Sequence, residues 1–92
     1  MNEMMPLNIR FTPPEDIIPE GDIYILGEFN MWTPEAMTKL PDSNEYAYST
    51  EVIEGLKYRY NFLVNFENVV DKTKPYSENK CGQVTNEIEA IS

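Results

Sequence analysis

The sequence predicts an all-β fold, an antiparallel two-layer sandwich of about seven strands, and two observations support this prediction. Apolar and polar residues alternate with a period of two along most of the chain, and no stretch of a dozen residues has a helical period. About seven such segments, separated by turn-forming residues, fit within 92 residues, which favours a sandwich over a closed barrel. A chain of this length supports one small domain, which we place at residues 7–92 behind a flexible lead-in of residues 1–6.

The first half of the chain contains short strands that are separated by prolines and polar loops. Residues 7–11 alternate until two prolines end the strand. Residues 23–26 are continuously apolar, which is typical of a central strand that is buried on both sides. Thr33 is a good helix cap and Pro34 suits a first helical position, so we expect one helical turn there. A short strand at residues 37–40 follows.

The second half predicts a long hairpin that is rich in tyrosine. Residues 46–52 and 58–64 both alternate, and Gly55 lies in the turn between them, so we expect these two strands to pair with each other. A polar loop over residues 71–82 then leads to a half-solvated last strand at residues 84–91. Shorter predicted elements are turns at residues 41–44 and 65–68 and a strand at residues 69–70.

Charge excludes several classes of function. Sixteen acidic and seven basic residues give a formal charge of -9, which repels phosphate backbones and anionic lipids, so we expect neither nucleic-acid nor membrane-surface binding. A neutral polysaccharide is indifferent to this charge. The amino terminus resembles neither a secretory signal nor a membrane span, so a cytoplasmic location is the default expectation.

The residue types also argue against catalysis. The chain has no histidine, so a serine or cysteine nucleophile lacks its usual base, and no metal-ligand spacing or phosphate loop occurs. We therefore expect no enzyme activity, no metal and no cofactor. Cys81 is the only cysteine, so no internal disulfide is possible, and we interpret it as a quiet, partly buried thiol. We interpret the acidic residues as a solubilising surface, among them Glu28, Glu51, Glu54, Glu87 and Glu89.

The only tryptophan is the best functional lead. The apolar strand at residues 23–26 ends at Gly27 and runs into a loop that presents Trp32. Loops on a rigid sheet often carry binding residues, and an exposed indole there would form a sugar-stacking platform. The alternative is that Trp32 folds down as an apolar lid over the end of the sandwich. We expect Asn30 to shape this turn, since asparagine side chains bond nearby backbone groups.

Four segments together carry a resemblance to a known family. They are residues 23–32, Gly55, residues 60–65 and residues 82–86. In this order and spacing they resemble the glycogen- and starch-binding modules of the early-set immunoglobulin-like β-sandwiches, notably the glycogen-binding domain of the AMP-activated protein kinase β subunit. The resemblance covers residues 7–91 and implies an immunoglobulin-like sandwich that binds α-glucans without catalysis.

The resemblance implies one retained platform and one altered one. Trp32 matches the family's tryptophan that stacks on a glucose ring. Asn61 takes the place of a lysine that hydrogen-bonds sugar hydroxyls, and an amide also donates and accepts, although with a shorter reach. Asn68 replaces the second tryptophan. Phe66 or Tyr76 could supply the missing aromatic face from a shifted position; the alternative is that both pack locally or coat the surface.

The last strand contributes the remaining candidates. Gly82 matches the family pattern, whereas Cys81 stands where a sugar-contacting leucine is usual. Thr85 takes the place of an asparagine ligand and still offers hydrogen bonds, as does Gln83. Asn86 also matches, and it either contacts sugar or satisfies backbone groups of the fold.

Two functions from different classes follow. The first is binding of glycogen, starch or maltooligosaccharides, which would tether a partner enzyme or kinase to the polysaccharide. The second is a protein-interaction sandwich that has kept the fold and lost the sugar. The missing second tryptophan favours the second function, and so do the tyrosine-rich strands if part of their surface is exposed. The retained Trp32 turn favours the first.

Overall fold

The computed structural model describes residues 3–91, which form nine β-strands and one 3₁₀ turn. The all-β prediction is confirmed, with more strands than the seven expected because several are only two or three residues long. The strands are β1 (Met4–Phe11), β2 (Tyr24–Gly27), β3 (Glu35–Ala36), β4 (Thr38–Lys39), β5 (Tyr46–Ile53), β6 (Lys57–Val64), β7 (Glu67–Val69), β8 (Tyr76–Glu78) and β9 (Val84–Glu89). The 3₁₀ turn is Glu28–Asn30.

The strands form two antiparallel sheets. The smaller has the order β1-β5-β4, and the larger has the order β3-β2-β6-β9-β8 with β7 also paired to β6. Strand β6 is the centre of the larger sheet because β2 pairs along one edge, while β9 and then β7 pair along the other. The antiparallel sandwich is therefore confirmed.

The core lies between the two sheets, where the alternation of each strand points its apolar side chains inward. Phe11 of β1 stacks on Phe62 of β6 with ring centroids 4.0 Å apart, and Tyr60 meets the same ring edge-on at 5.5 Å. These contacts join the sheets. The buried apolar residues are Leu7, Ile9, Phe11, Ile23, Ile25, Met37, Tyr46, Val52, Tyr60, Phe62, Val64 and Ala90.

The predicted tyrosine-rich hairpin is wrong, because β5 and β6 lie in different sheets. Strand β5 pairs along its whole length with β1, whereas β6 pairs with β2, β7 and β9. Gly55, at a φ of 92°, carries the chain across the end of the sandwich, and its N–H donates to Ala90 O. The turn was predicted in the right place. The alternating pattern gives the buried face of a strand but not its partner.

Three boundaries also differ from the prediction. Strand β1 begins at Met4, so residues 4–6 pair with β5 and do not form a lead-in. Residues 1, 2 and 92 lie outside the described residues, and the single-domain division stays a prediction. The helical turn lies before Trp32 and not at Thr33, because Gly27 ends β2 earlier. Strand β8 lies within the predicted polar loop.

No helix among residues 3–91 is both long and apolar enough to cross a membrane.

Candidate functional site

Trp32 lies at the end of a tightly bonded loop over residues 27–32, here called the Trp32 loop. Asn30 holds the loop: its Oδ1 accepts from Gly27 N at 2.9 Å and its Nδ2 donates to Ile25 O at 3.3 Å. Trp32 N then donates to Gly27 O at 2.8 Å. The expected turn-shaping role of Asn30 is therefore what the structure shows. Met31 and Trp32 both have positive φ, 57° and 58°, a strained conformation for side chains with a Cβ.

The base of the Trp32 loop packs closely on β6. A Cβ at Gly27 would lie 2.6 Å from Arg59 O and 2.7 Å from Tyr60 Cβ, so the strands approach here only because residue 27 is glycine. Phe29 points inward, with its ring centroid 6.0 Å from Tyr60 and 5.7 Å from Tyr48. Phe29 therefore covers this end of the core. Trp32 stays 41% exposed and is not the lid.

A polar groove of about 380 Å³ lies beside the indole on the outer face of the larger sheet. Because Tyr60 of β6 points into the core, the alternation directs Arg59 outward, and Arg59 pairs with Glu87 of β9. Thr85 precedes Glu87 by two residues and so faces the same side. The groove is lined by Glu28, Trp32, Arg59, Ser77, Glu78, Asn79, Gln83 and Thr85.

The far wall of the groove is a rigid β8–β9 turn. Asn79 Oδ1 accepts from the N–H groups of both Cys81 and Gln83 at 2.9 Å, and Asn79 N donates to Gln83 O at 2.9 Å. Gly82 has a φ of 81°. This network fixes Gln83 against the groove. Cys81 is exposed at the turn, so the expected partly buried thiol is wrong.

Charged side chains support the groove. Glu28 Oε1 accepts from Arg59 N at 2.7 Å, and so satisfies an N–H that loses its ladder partner where β2 ends. Arg59 Nε lies 3.7 Å from Glu87 Oε1, which also accepts from Ser77 Oγ at 2.5 Å. The interpretation of Glu28 and Glu87 as mere solubilising surface is therefore wrong. Within residues 3–91, no group of three acidic, histidine or cysteine side chains is placed to hold a metal ion.

The family comparison agrees with this geometry. Residues 20–91 match the family model described as the glycogen recognition site of AMP-activated protein kinase. The chain belongs to this family. A comparison with curated proteins found no match.

The larger sheet of this glycogen-recognition domain uses two of the candidate asparagines to hold the fold. Asn61 is only 3% exposed, and with its amide oriented by its neighbours the nitrogen donates to Tyr60 O at 3.1 Å and Val84 O at 3.3 Å. The Asn61 side chain thus hydrogen-bonds the backbone at the point where the partner of β6 changes from β9 to β7. Asn86 is fully buried, accepts from Asp71 N at 2.8 Å and donates to Asp71 O and Pro75 O. Both amides satisfy backbone groups.

Three other candidates lie away from the groove. Phe66 is 93% exposed at the β6–β7 turn, and Asn68 is exposed beside it, paired with Leu63. The turn begins after Val64, five residues along β6 from Arg59, which is about 17 Å at the strand rise of about 3.4 Å per residue. Tyr76 lies on β8, half-exposed, opposite Asn86. The structure thus brings Trp32 and Thr85 together and leaves Phe66, Asn68 and Tyr76 apart from them.

Sequence reasoning missed Arg59, although a signal for it was present. Arg59 precedes Asn61 by two residues and so shares its face of β6. The family resemblance made position 61 a candidate, and the alternation of β6 places position 59 on the same face. Ser77 was missed because β8 was assigned to a loop, and Asn79 lies in the turn that follows this strand.

Proposed function

We propose that this domain binds an α-glucan such as glycogen or starch in the groove beside Trp32. The observation that carries the proposal is the exposed indole, fixed at the rim of a groove whose other walls offer hydroxyl and amide groups. A pyranose presents a face of C–H groups to the negative face of an indole. Thr85, Gln83 and Asn79 then lie across the groove to exchange hydrogen bonds with the sugar hydroxyls.

The proposal assigns a binding role and no catalysis. Glycoside hydrolysis needs a pair of carboxyl groups on either side of the scissile bond. Glu28 accepts the Arg59 N–H, and Glu87 accepts from Ser77 beside the Arg59 side chain. These two carboxylates therefore stabilise the residues that form the groove. We propose that the groove binds the polysaccharide and does not cleave it.

The proposal extends to tethering of a partner enzyme or kinase, as the family description suggests. A reporter enzyme fused to this domain should be retained on amylose resin and released by soluble maltoheptaose. The same fusion with Trp32→Ala should pass through the resin. Equal retention of both fusions would contradict tethering by this groove.

The protein-interaction alternative loses one of its two supports, the exposed aromatic surface, and keeps the other, the missing second tryptophan. Tyr46 and Tyr60 are buried, and Tyr48 and Tyr58 pack around Phe29 with ring centroids 5.7 and 6.3 Å away. The tyrosine-rich strands therefore use their rings inside the sandwich and offer no broad aromatic surface to a partner.

The test uses the single tryptophan as its own reporter. Titration with maltoheptaose or β-cyclodextrin should give a saturable change in indole emission, and the protein should sediment with glycogen. Trp32→Ala should lose sedimentation. The matched control is Met31→Ala, which removes an exposed neighbour that also has positive φ and should leave sedimentation intact. A wild-type protein that shows neither saturation nor sedimentation would refute the proposed function.

A further inference from the structure

The groove contains a positively charged side chain, Arg59, at a position that the family resemblance did not mark as sugar-binding. The family lysine is replaced by Asn61, which is buried and bonded to backbone. Arg59 lies two residues earlier on the same face of β6, its side chain is 54% exposed, and it lines the groove with Trp32 and Thr85. The positive charge is thus shifted by two residues toward the indole.

We infer that Arg59 donates hydrogen bonds to the sugar hydroxyls in this groove and sets the specificity of the groove for uncharged α-glucans. This inference rests on the proposed function. A guanidinium presents its N–H donors as a planar fork, and such a fork matches two neighbouring hydroxyl oxygens of a glucose ring that is stacked on Trp32.

Neighbouring residues position Arg59 for this contact. Its own N–H is fixed by Glu28, and its Nε lies 3.7 Å from Glu87, which is fixed in turn by Ser77. The backbone of Arg59 is therefore fixed and its guanidinium lies beside a carboxylate before ligand arrives, which lowers the entropy lost on binding. The remaining guanidinium nitrogens are the groups left to meet a ligand in the groove.

The same surroundings set the class of ligand. Glu28 and Glu78 line the groove, and Glu87 lies against the Arg59 side chain, so three carboxylates lie in or beside a groove that contains one guanidinium. The chain as a whole carries a formal charge of -9. A phosphate ester on the glucan would meet net negative charge, whereas hydroxyl groups would meet both donors and acceptors. The groove therefore favours an uncharged glucan over a phosphorylated one.

The decisive measurement is calorimetric titration with maltoheptaose, which does not depend on indole emission. Arg59→Ala should weaken binding by about tenfold or more, as expected for loss of hydrogen bonds from a charged donor. Arg10→Ala is the matched control, because Arg10 is 53% exposed and also pairs with a glutamate, Glu45, but lies on the smaller sheet. It should bind as the wild type does. Thermal melts of the two variants should agree, which separates sugar contact from a structural role.

Arg59→Lys distinguishes a fork from a simple charge. Lysine keeps the charge but presents no planar fork, so it should restore only part of the affinity. Full restoration by lysine would overturn recognition by a planar fork and leave a simple charge at position 59. Equal binding by Arg59→Ala and Arg10→Ala would overturn the assignment of Arg59 while the proposed function stands. Absence of binding by the wild type would instead refute the proposed function.

Specificity is tested with maltoheptaose that carries one phosphate ester. At low salt the wild type should bind it several-fold more weakly than maltoheptaose, and Glu78→Gln should narrow the difference, since one repelling carboxylate is removed. Tighter or equal binding of the phosphorylated sugar by the wild type would overturn the assigned specificity.

Discussion

The Trp32 loop and the β6–β7 turn have the same local backbone feature but different surroundings. Each places two consecutive non-glycine residues at positive φ, Met31 and Trp32 in the first and Asn65 and Phe66 in the second. Each also exposes an aromatic ring. Trp32 borders a groove with polar walls, whereas Phe66 stands clear of the surface at 93% exposure. An exposed aromatic on a strained turn thus becomes a binding candidate only where other strands bring polar groups to it.

The two regions also differ in how they are anchored. The Trp32 loop rests on the core through Gly27 and Phe29. The β6–β7 turn is tied to a surface segment, since Glu20 N donates to Asn65 Oδ1 at 2.7 Å and Asn65 Nδ2 donates to Ile18 O at 2.9 Å. Changes to the anchors of the first should therefore affect both stability and glucan binding, and changes at the second should affect stability alone.

The largest effect is expected from Gly27→Ala. The new Cβ would meet Arg59 O and Tyr60 Cβ well inside van der Waals contact, so β2 and β6 must separate, at a cost of about 3 kcal/mol in the free energy of unfolding. Gly21→Ala is the control because a Cβ there meets nothing within 4 Å, and it should change stability by less than about 0.5 kcal/mol. Similar urea midpoints for the two variants would contradict the close approach.

The second prediction concerns alkaline pH at the base of the Trp32 loop. Burial raises the pKa of Tyr60 to about 12 from its usual 10.0, and the nearby charge of Asp71 adds to the rise. Burial and the hydrogen bond to Glu35 also raise the pKa of Tyr48. Because the folded state keeps a proton that the unfolded chain releases, stability is full below about pH 10 and falls as pH rises toward 12.

The size of this fall follows from the Tyr60 value. At about 1.4 kcal/mol per pKa unit, its contribution is of the order of 2 kcal/mol. Urea unfolding at pH 9 and pH 11.5 should show the loss, and Tyr60→Phe should reduce it. Tyr76→Phe, which changes a half-exposed ring on β8, serves as control. A pH profile that is identical in Tyr60→Phe and wild type would contradict the assignment.

The third prediction compares the two asparagines that hold these regions. Asn30→Ala and Asn65→Ala each remove two hydrogen bonds to backbone, and each should lower the free energy of unfolding by about 1–2 kcal/mol. Their effects on glucan binding should differ. Asn30→Ala should weaken sedimentation with glycogen because Trp32 loses its fixed position, and Asn65→Ala should not. Loss of binding in both variants would mean that the site extends to the β6–β7 turn.

Sequence patterning predicted the faces of the strands better than their partners. The alternation in residues 46–52 and 58–64 correctly directs Tyr46, Val52, Tyr60 and Phe62 inward. It holds no information on whether β5 and β6 pair or face each other across the core, because both arrangements bury the same residues. The Trp32 turn was predictable because it depends on local signals, a glycine at the strand end and an asparagine three residues later.

The roles of the polar residues depended on tertiary structure. Asn61 and Arg59 share a face of β6, yet one is buried and the other exposed, because β6 changes partner beside Asn61. Likewise Glu28 enters the groove, and Glu87 comes to lie against Arg59, only through strands that pair across the sheet. A single sequence shows which face a side chain takes but not what the neighbouring strands place beside it.

The smallest predicted effect is from Phe66→Gly at the β6–β7 turn. Val64 pairs with Glu67, so residues 65 and 66 form a two-residue hairpin loop with φ of 52° and 66°. An Asn-Gly pair is strongly favoured in such a turn, and glycine relieves the strain of a Cβ at positive φ. This gain is partly offset by the greater freedom of glycine in the unfolded chain. The net effect should be a stabilisation of about 0.5–1 kcal/mol, measured by urea unfolding.

The same variant bears on the comparison of the two regions. Because the Phe66 ring is almost fully exposed and lies about 17 Å along β6 from the groove, its removal should leave the affinity for maltoheptaose unchanged. Asn65→Gly is the matched control: it should destabilise the protein, since the hydrogen bonds to Glu20 and Ile18 are lost. A weakening of maltoheptaose binding by Phe66→Gly comparable to that by Trp32→Ala would show that the two turns form one extended sugar surface. Phe66 would then replace the missing second tryptophan.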